Sequence, residues 1–155
     1  MDKQQLPANL VNYKSINLPM ATAGYSGAPL LKKLGIKPIM KVILMDVPDN
    51  YFDLLETDIT RQLCKKNDVP DLIHLFAFNN KAFEAGMKKI LSYVKKNKQL
   101  IIWVSWYKKS SGLATDITED FIRNYALRNG LVDIKVCSVS DIWSGLKLVV
   151  PVSKR

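Results

Sequence analysis

Lys108 and Lys109 follow a strongly apolar stretch, Trp103-Val104-Ser105-Trp106-Tyr107, and Ser110, Ser111 and Thr115 come soon after them. Ammonium groups set among hydroxyls are the side chains with which a protein holds a small phosphate or carboxylate. Asp116-Ile117-Thr118-Glu119 then has capping-box spacing, with Asp116 expected in the capping role. The amino end of the helix that starts there adds backbone N–H donors. A strand, a polar loop and a helix follow one another, and open α/β folds build their binding sites at such junctions. Trp143 and Ser144 are expected beside this loop, because the strands carrying the two segments are expected to be neighbours. The candidate anion site is therefore Lys108, Lys109, Ser110, Ser111, Thr115, Trp143 and Ser144.

Other chemistries find fewer residues. The single histidine, His74, stands inside the apolar run Asp71 to Phe78, so it reads as a core residue with satisfied nitrogens. A metal site needs clustered ligands, and none cluster here. A Ser–His–Asp arrangement would need that same His74, and no nucleophile-elbow glycines accompany it. Asp116 and Glu119 are paired carboxylates only in spacing; their position makes them helix-capping groups. A nucleotide or S-adenosylmethionine site needs glycine after the first strand, where this chain has Asp46-Val47-Pro48-Asp49. Gly24-Tyr25-Ser26-Gly27 lacks the GKS or GKT ending of a phosphate-binding loop. No catalytic residue, metal or cofactor is expected from these patterns.

The elements that must position the loop are legible as runs of apolar residues. Lys41 to Val47, Asp71 to Phe78 and Gln99 to Trp106 have the length and continuity of strands covered on both faces. Ile59 to Leu63 reads as a weak edge strand. Pro29 and Gly35 bracket a short helix, and Tyr51 to Glu56 reads as another. Asn79 or Asn80 caps a longer helix with Phe83, Met87, Ile90, Leu91 and Val94 on one face. Lys81, Lys88 and Lys95 form a separate stripe on it, with Lys89 and Lys96 beside them. Phe121, Ile122, Tyr125 and Ala126 mark a further helix, ending at Gly130. Leu131 to Val139 and Gly145 to Val150 are close enough in sequence to form only a hairpin.

These elements predict a three-layer Rossmann-like α/β sandwich with a mostly parallel sheet of about six strands and right-handed crossovers. The expected strand order is 2-1-3-4-6-5, with the final strand reversed. Residues 1–19 carry no sustained period and read as a poorly structured extension; residues 20–155 form the single domain. Met20 offers an alternative start.

The chain has 155 residues, of which 48% are apolar and 24% charged, the balance of a globular domain. Its 23 Lys and Arg against 14 Asp and Glu leave +9, which favours anionic partners. Lysines far outnumber the arginines, which are Arg61, Arg123, Arg128 and Arg155, and this disfavours base-specific reading of DNA. Cys64 and Cys137 read as free thiols of a reducing cytoplasm. No apolar run approaches the ~20 residues of a membrane span, and no signal peptide is visible, so the expected location is cytoplasmic.

The order of elements resembles class I methyltransferases, which end in such a hairpin at the sheet edge. On that resemblance, one strand–helix unit of the fold is missing after the second strand. GYSG (24–27), KKLGIKP (32–38), HLF (74–76), WVSW (103–106), KK (108–109), TDITED (115–120), GLVD (130–133), KVC (135–137) and WSGLK (143–147) further resemble a family of short bacterial proteins. That family is a domain of unknown function. It commonly has glycine after its KP, where this chain has Ile39. The resemblance implies a fold and no activity.

Three functions remain in competition. The first is a non-catalytic module binding a small anionic ligand or a protein partner through the Lys108-Lys109 loop. The second is a divergent methyltransferase-like transferase lacking the usual glycine motif. The third is non-specific nucleic-acid binding through the Lys81 to Lys98 helix.

Overall fold

The computed structural model describes residues 28–155; the expected extension at residues 1–19 and the Gly24–Gly27 segment lie outside the described residues. Helix α1 spans Leu30–Leu34, with Pro29 before it and Gly35 at φ 77° closing it. Strand β1 is Val42–Met45 and helix α2 is Tyr51–Leu55. Strand β2 is Leu72–Phe76, helix α3 Asn80–Val94 and strand β3 Ile101–Tyr107. Helix α4 covers Glu119–Arg128, and strands β4, Val132–Ser138, and β5, Trp143–Val149, form the closing hairpin.

The sheet runs β1-β2-β3-β5-β4. The first three strands are parallel, and β5 lies antiparallel to both β3 and β4. This is the expected order with one strand withdrawn. Ile59 to Leu63 does not form a strand: Thr60–Gln62 is a 3₁₀ turn, and only a bridge between Val42 and Leu63 marks the place. Asp58 explains the difference, because its carboxylate accepts from the Thr60 N–H at 2.8 Å and bends the chain locally. Gln62 then donates to the carbonyls of Lys37 and Met40, which holds the turn against the α1–β1 connection. The sheet of the described residues therefore has five strands and not six.

Alternation along the strands builds two cores. Ile73, Leu75, Ile102 and Val104 face Phe83, Met87 and Ile90 of α3 and Ile122 and Ala126 of α4. Leu72, Phe76 and Trp103 face the other way, against Leu30 and Leu34 of α1 and Tyr51, Phe52 and Leu55 of α2. Both faces of β2 are fully covered, as its uninterrupted apolar run requires. The helices change sides between α2 and α3, which puts the topological switch point at the carboxyl ends of β1 and β2.

The start of α4 differs from the sequence expectation. Thr118, and not Asp116, is its N-cap: the Thr118 hydroxyl accepts from the Phe121 N–H at 3.1 Å. Asp116 lies two residues too early and instead accepts from the Asn80 N–H at 2.9 Å, at the start of α3. Asn79 caps α3 by accepting from the Ala82 N–H, as expected. Arg123 ties α4 to the hairpin through the β4 residue Asp133 and pairs within the helix with Glu119 and Asp120. Cys64 and Cys137 are free. Among the described residues no helix is long and apolar enough to cross a membrane.

Candidate functional site

An open cleft of about 570 Å³ lies at the carboxyl end of β3, bounded by the loop after that strand, the first turn of α4 and the start of β5. Trp106 and Ile117, both nearly buried, form its apolar floor. Ser110, Thr115, Thr118 and Ser144 supply hydroxyls, Lys109 a cation, and Glu119 and Asp120 carboxylates. Both carboxylates are engaged by Arg123, so their charge is largely answered inside the helix. Lys109 makes no ion pair among the described residues.

Five of the seven sequence-derived site residues, Lys108, Lys109, Ser110, Thr115 and Ser144, line this cleft. The side chain of Lys108 ends elsewhere: its ammonium donates to Ser138 Oγ at 2.7 Å, which stitches the loop to β4. Ser111 turns inward, donating to the Lys108 carbonyl and accepting from the Leu113 N–H. Trp143 lies in the core. Its ring stacks on Tyr107 with centroids 4.3 Å apart and meets Phe76 and Phe78 edge-on. An indole so packed stabilises the loop from below and leaves no face for a ligand. Sequence reasoning placed the loop correctly and missed that Thr118, Glu119 and Asp120 share its cleft.

The switch point between β1 and β2 has a different chemistry. Asp46 follows β1 directly and takes φ 56°, the left-handed conformation that glycine usually supplies in a nucleotide-binding turn. Asp46 and Asp49 are both exposed there. Pro48 withholds a backbone donor, and α2 is a single turn, so this edge offers acceptors where a glycine-rich loop offers N–H groups. Two buried side-chain oxygens, Asp53 Oδ1 and Asn80 Oδ1, have no hydrogen-bond partner among the described residues. They stand in the first turns of α2 and α3, the helices that follow β1 and β2. Burial pushes the Asp53 carboxyl above its ordinary range.

A buried polar chain links α2, β2 and β3. Tyr51 Oη lies 2.8 Å from His74 Nδ1, and His74 Nε2 lies 2.8 Å from Ser105 Oγ. All three residues have no exposed surface. Burial lowers the His74 pKa to about 3, so the ring is neutral, and its desolvation likewise raises that of the Tyr51 phenol far beyond the ordinary range. With both ring nitrogens engaged and no opening to water, His74 is a structural residue and no general base. Among the described residues no cluster of His, Cys, Asp or Glu has the form of a metal site.

No protein-family model matches the chain, and no curated protein does. Solved structures do resemble it. A DhpI–SAH complex aligns over 96% of this chain and 95% of its own at 11% identity, with a TM-score of 0.50. An uncharacterised protein from Listeria monocytogenes serotype 4b aligns over 81% of this chain and 68% of its own at 9% identity, with a TM-score of 0.49. A SAM-dependent methyltransferase from Aquifex aeolicus aligns over 91% of this chain and 98% of its own at 13% identity, with a TM-score of 0.46. The chain thus has a Rossmann-like α/β fold of the methyltransferase type, similar to that of the DhpI–SAH complex.

Proposed function

We propose that the protein is a divergent methyltransferase-like transferase. The observation that carries this reading is the pair of orphaned acceptors, Asp53 Oδ1 and Asn80 Oδ1, in the first turns of the helices that follow β1 and β2, in a fold similar to that of DhpI, which is found with SAH. A buried acceptor without a partner costs free energy, and a ligand that brings donors removes that cost. S-adenosylmethionine carries an ammonium, ribose hydroxyls and a sulfonium charge, which suits an edge of carboxylates better than an edge of amides. Bound there, it supplies a methyl group for transfer to a nucleophile. Asp53 and Asn80 would accept its hydrogen bonds, and Asp46 and Asp49 would answer its charge.

The cleft beside β3 then serves the acceptor molecule. The two places adjoin, because Asp116, in the loop between Thr115 and Ile117, bonds the backbone of Asn80. Lys109 would orient an anionic group, while Trp106 and Ile117 keep water from the floor. Membership of the short bacterial family whose motifs the chain resembles is part of the same proposal.

Titration calorimetry with S-adenosylmethionine and with SAH tests the reading. The expected result is saturable binding in the ~µM range. Asp53→Asn, which replaces an acceptor oxygen by a donor, should weaken it at least ~10-fold, the equivalent of one hydrogen bond to a charged group. Absence of binding by the unaltered protein would overturn the proposal and leave the non-catalytic anion-binding module as the reading of the cleft.

A further inference from the structure

The exposed face of α3 is a lysine surface. At 100° per residue, Lys81, Lys88 and Lys95 fall in one row, and Lys89 and Lys96 in a second about 90° away. The buried residues Phe83, Met87, Ile90 and Val94 occupy the opposite side. All five lysines are exposed, and none makes an ion pair among the described residues. Glu84 is the one acidic residue of the helix. No large apolar side chain is exposed along this face; the exposed ones lie on other elements, such as Ile134 and Val136 of β4. The row from Lys81 to Lys95 extends ~21 Å.

Five unanswered cations over that length set up a positive field that a small ligand would not span. Their positions match a charged strand lying along the helix. Lysine without arginine, and without an exposed aromatic platform, contacts phosphate oxygens and reads no base. Absence of apolar residues removes the anchoring that a membrane surface would require. The surface also leads to the site: Lys81 follows Asn80, whose backbone is bonded to Asp116 beside the cleft that contains Lys109.

We propose that α3 is a docking surface for the phosphodiester backbone of a nucleic acid, bound without sequence preference and running toward the cleft at Lys109. This goes beyond the transferase reading and requires no transfer chemistry.

Fluorescence polarisation with a labelled oligouridine and a matching oligothymidine, over a salt series, tests it. Binding should fall steeply with salt, each neutralised phosphate adding ~0.7 to the slope of log K against log salt for a single strand. Lys88→Ala with Lys95→Ala should lower that slope by ~1.4. Lys32→Ala with Lys37→Ala removes equal charge at and just beyond α1, on the opposite face of the sheet, and should leave the slope nearly unchanged. Preference for one oligomer over the other separates an RNA from a DNA partner. Equal losses from the two double variants would overturn the proposal in favour of net charge. No binding at low salt, or binding to anionic lipid vesicles in place of either oligomer, would overturn it outright. Both variants alter exposed side chains, and unchanged thermal unfolding would confirm that each folds.

Discussion

Ser105 Oγ lies 2.8 Å from His74 Nε2 across two adjacent parallel strands, and neither residue has any surface exposed to water. In a solvated cleft this distance would suggest an activated hydroxyl. Here Tyr51 occupies the other ring nitrogen, Phe76 packs at 4.5 Å between ring centroids, and the group serves the core. Its function is to fix the register of β2 on β3 and the seat of α2.

Acid stability follows from that burial. His74 is neutral when folded, with a pKa of about 3, and titrates near 6.5 when unfolded. Between these values the unfolded chain binds the extra proton, so stability rises with pH. The contribution is complete above pH 6.5 and is lost as pH falls toward 3, by ~1.4 kcal/mol per pH unit. Urea denaturation across this window should show the slope, and His74→Gln, which removes the one histidine, should flatten it. An unchanged slope in the variant would show that other groups carry the acid sensitivity.

Gly145 sits opposite Ser105 in the β3–β5 ladder. A Cβ there would lie 3.0 Å from Val139 Cγ2 and 3.3 Å from Trp103 Cε3. The indole cannot withdraw freely, because Trp103 Nε1 donates to the Leu34 carbonyl at 2.9 Å. Gly145→Ala should therefore destabilise by ~1–3 kcal/mol, read as a lower urea midpoint at an unchanged slope. A neutral result would mean that the β5 backbone shifts to make room.

Much of this architecture was legible in the sequence, and the exceptions share a cause. Continuous apolar runs identified β1, β2 and β3, and short spacing identified the hairpin, because strands covered on two faces are mostly apolar. The expected strand at Ile59–Leu63 failed on one side chain, Asp58, whose local hydrogen bond outcompetes edge pairing. Trp143 was expected at the site because its strand neighbours the strand before the loop, but strand alternation turns it away from Ser144 and into the core. Lys108 and Lys109, in the turn after β3, also part: adjacent in sequence, they end on Ser138 and at the cleft. The unpartnered acceptors of Asp53 and Asn80 carry no pattern, since an orphaned oxygen is a property of packing alone.

The two candidate caps of α4 can be told apart by hydrogen exchange. Thr118→Ala removes the acceptor of the Phe121 N–H and should cost ~1 kcal/mol, with faster exchange at Phe121. Asp116→Ala should speed exchange at Asn80, the first residue of α3, and leave Phe121 protected. If Asp116→Ala exposed Phe121 as well, the loop would be holding α4 as a unit with α3.

Lys109 and Lys108 make the sharpest test of the cleft, because they differ in geometry and not in charge. Lys108 is held by Ser138 at 2.7 Å, so moving its ammonium toward a ligand would break an existing contact. Lys109 has no such tie and lines the cleft among Ser110, Thr115 and Ser144. For a small phosphorylated ligand, Lys109→Ala should therefore weaken binding at least ~10-fold, the loss of one charge-assisted hydrogen bond. Lys108→Ala should change it little and should instead loosen the contact between the β3 loop and β4. The measurement is calorimetric titration of both variants with a panel of phosphorylated small molecules at fixed salt. Equal losses would discard the cleft as a built site and leave only the general attraction of a basic surface for anions.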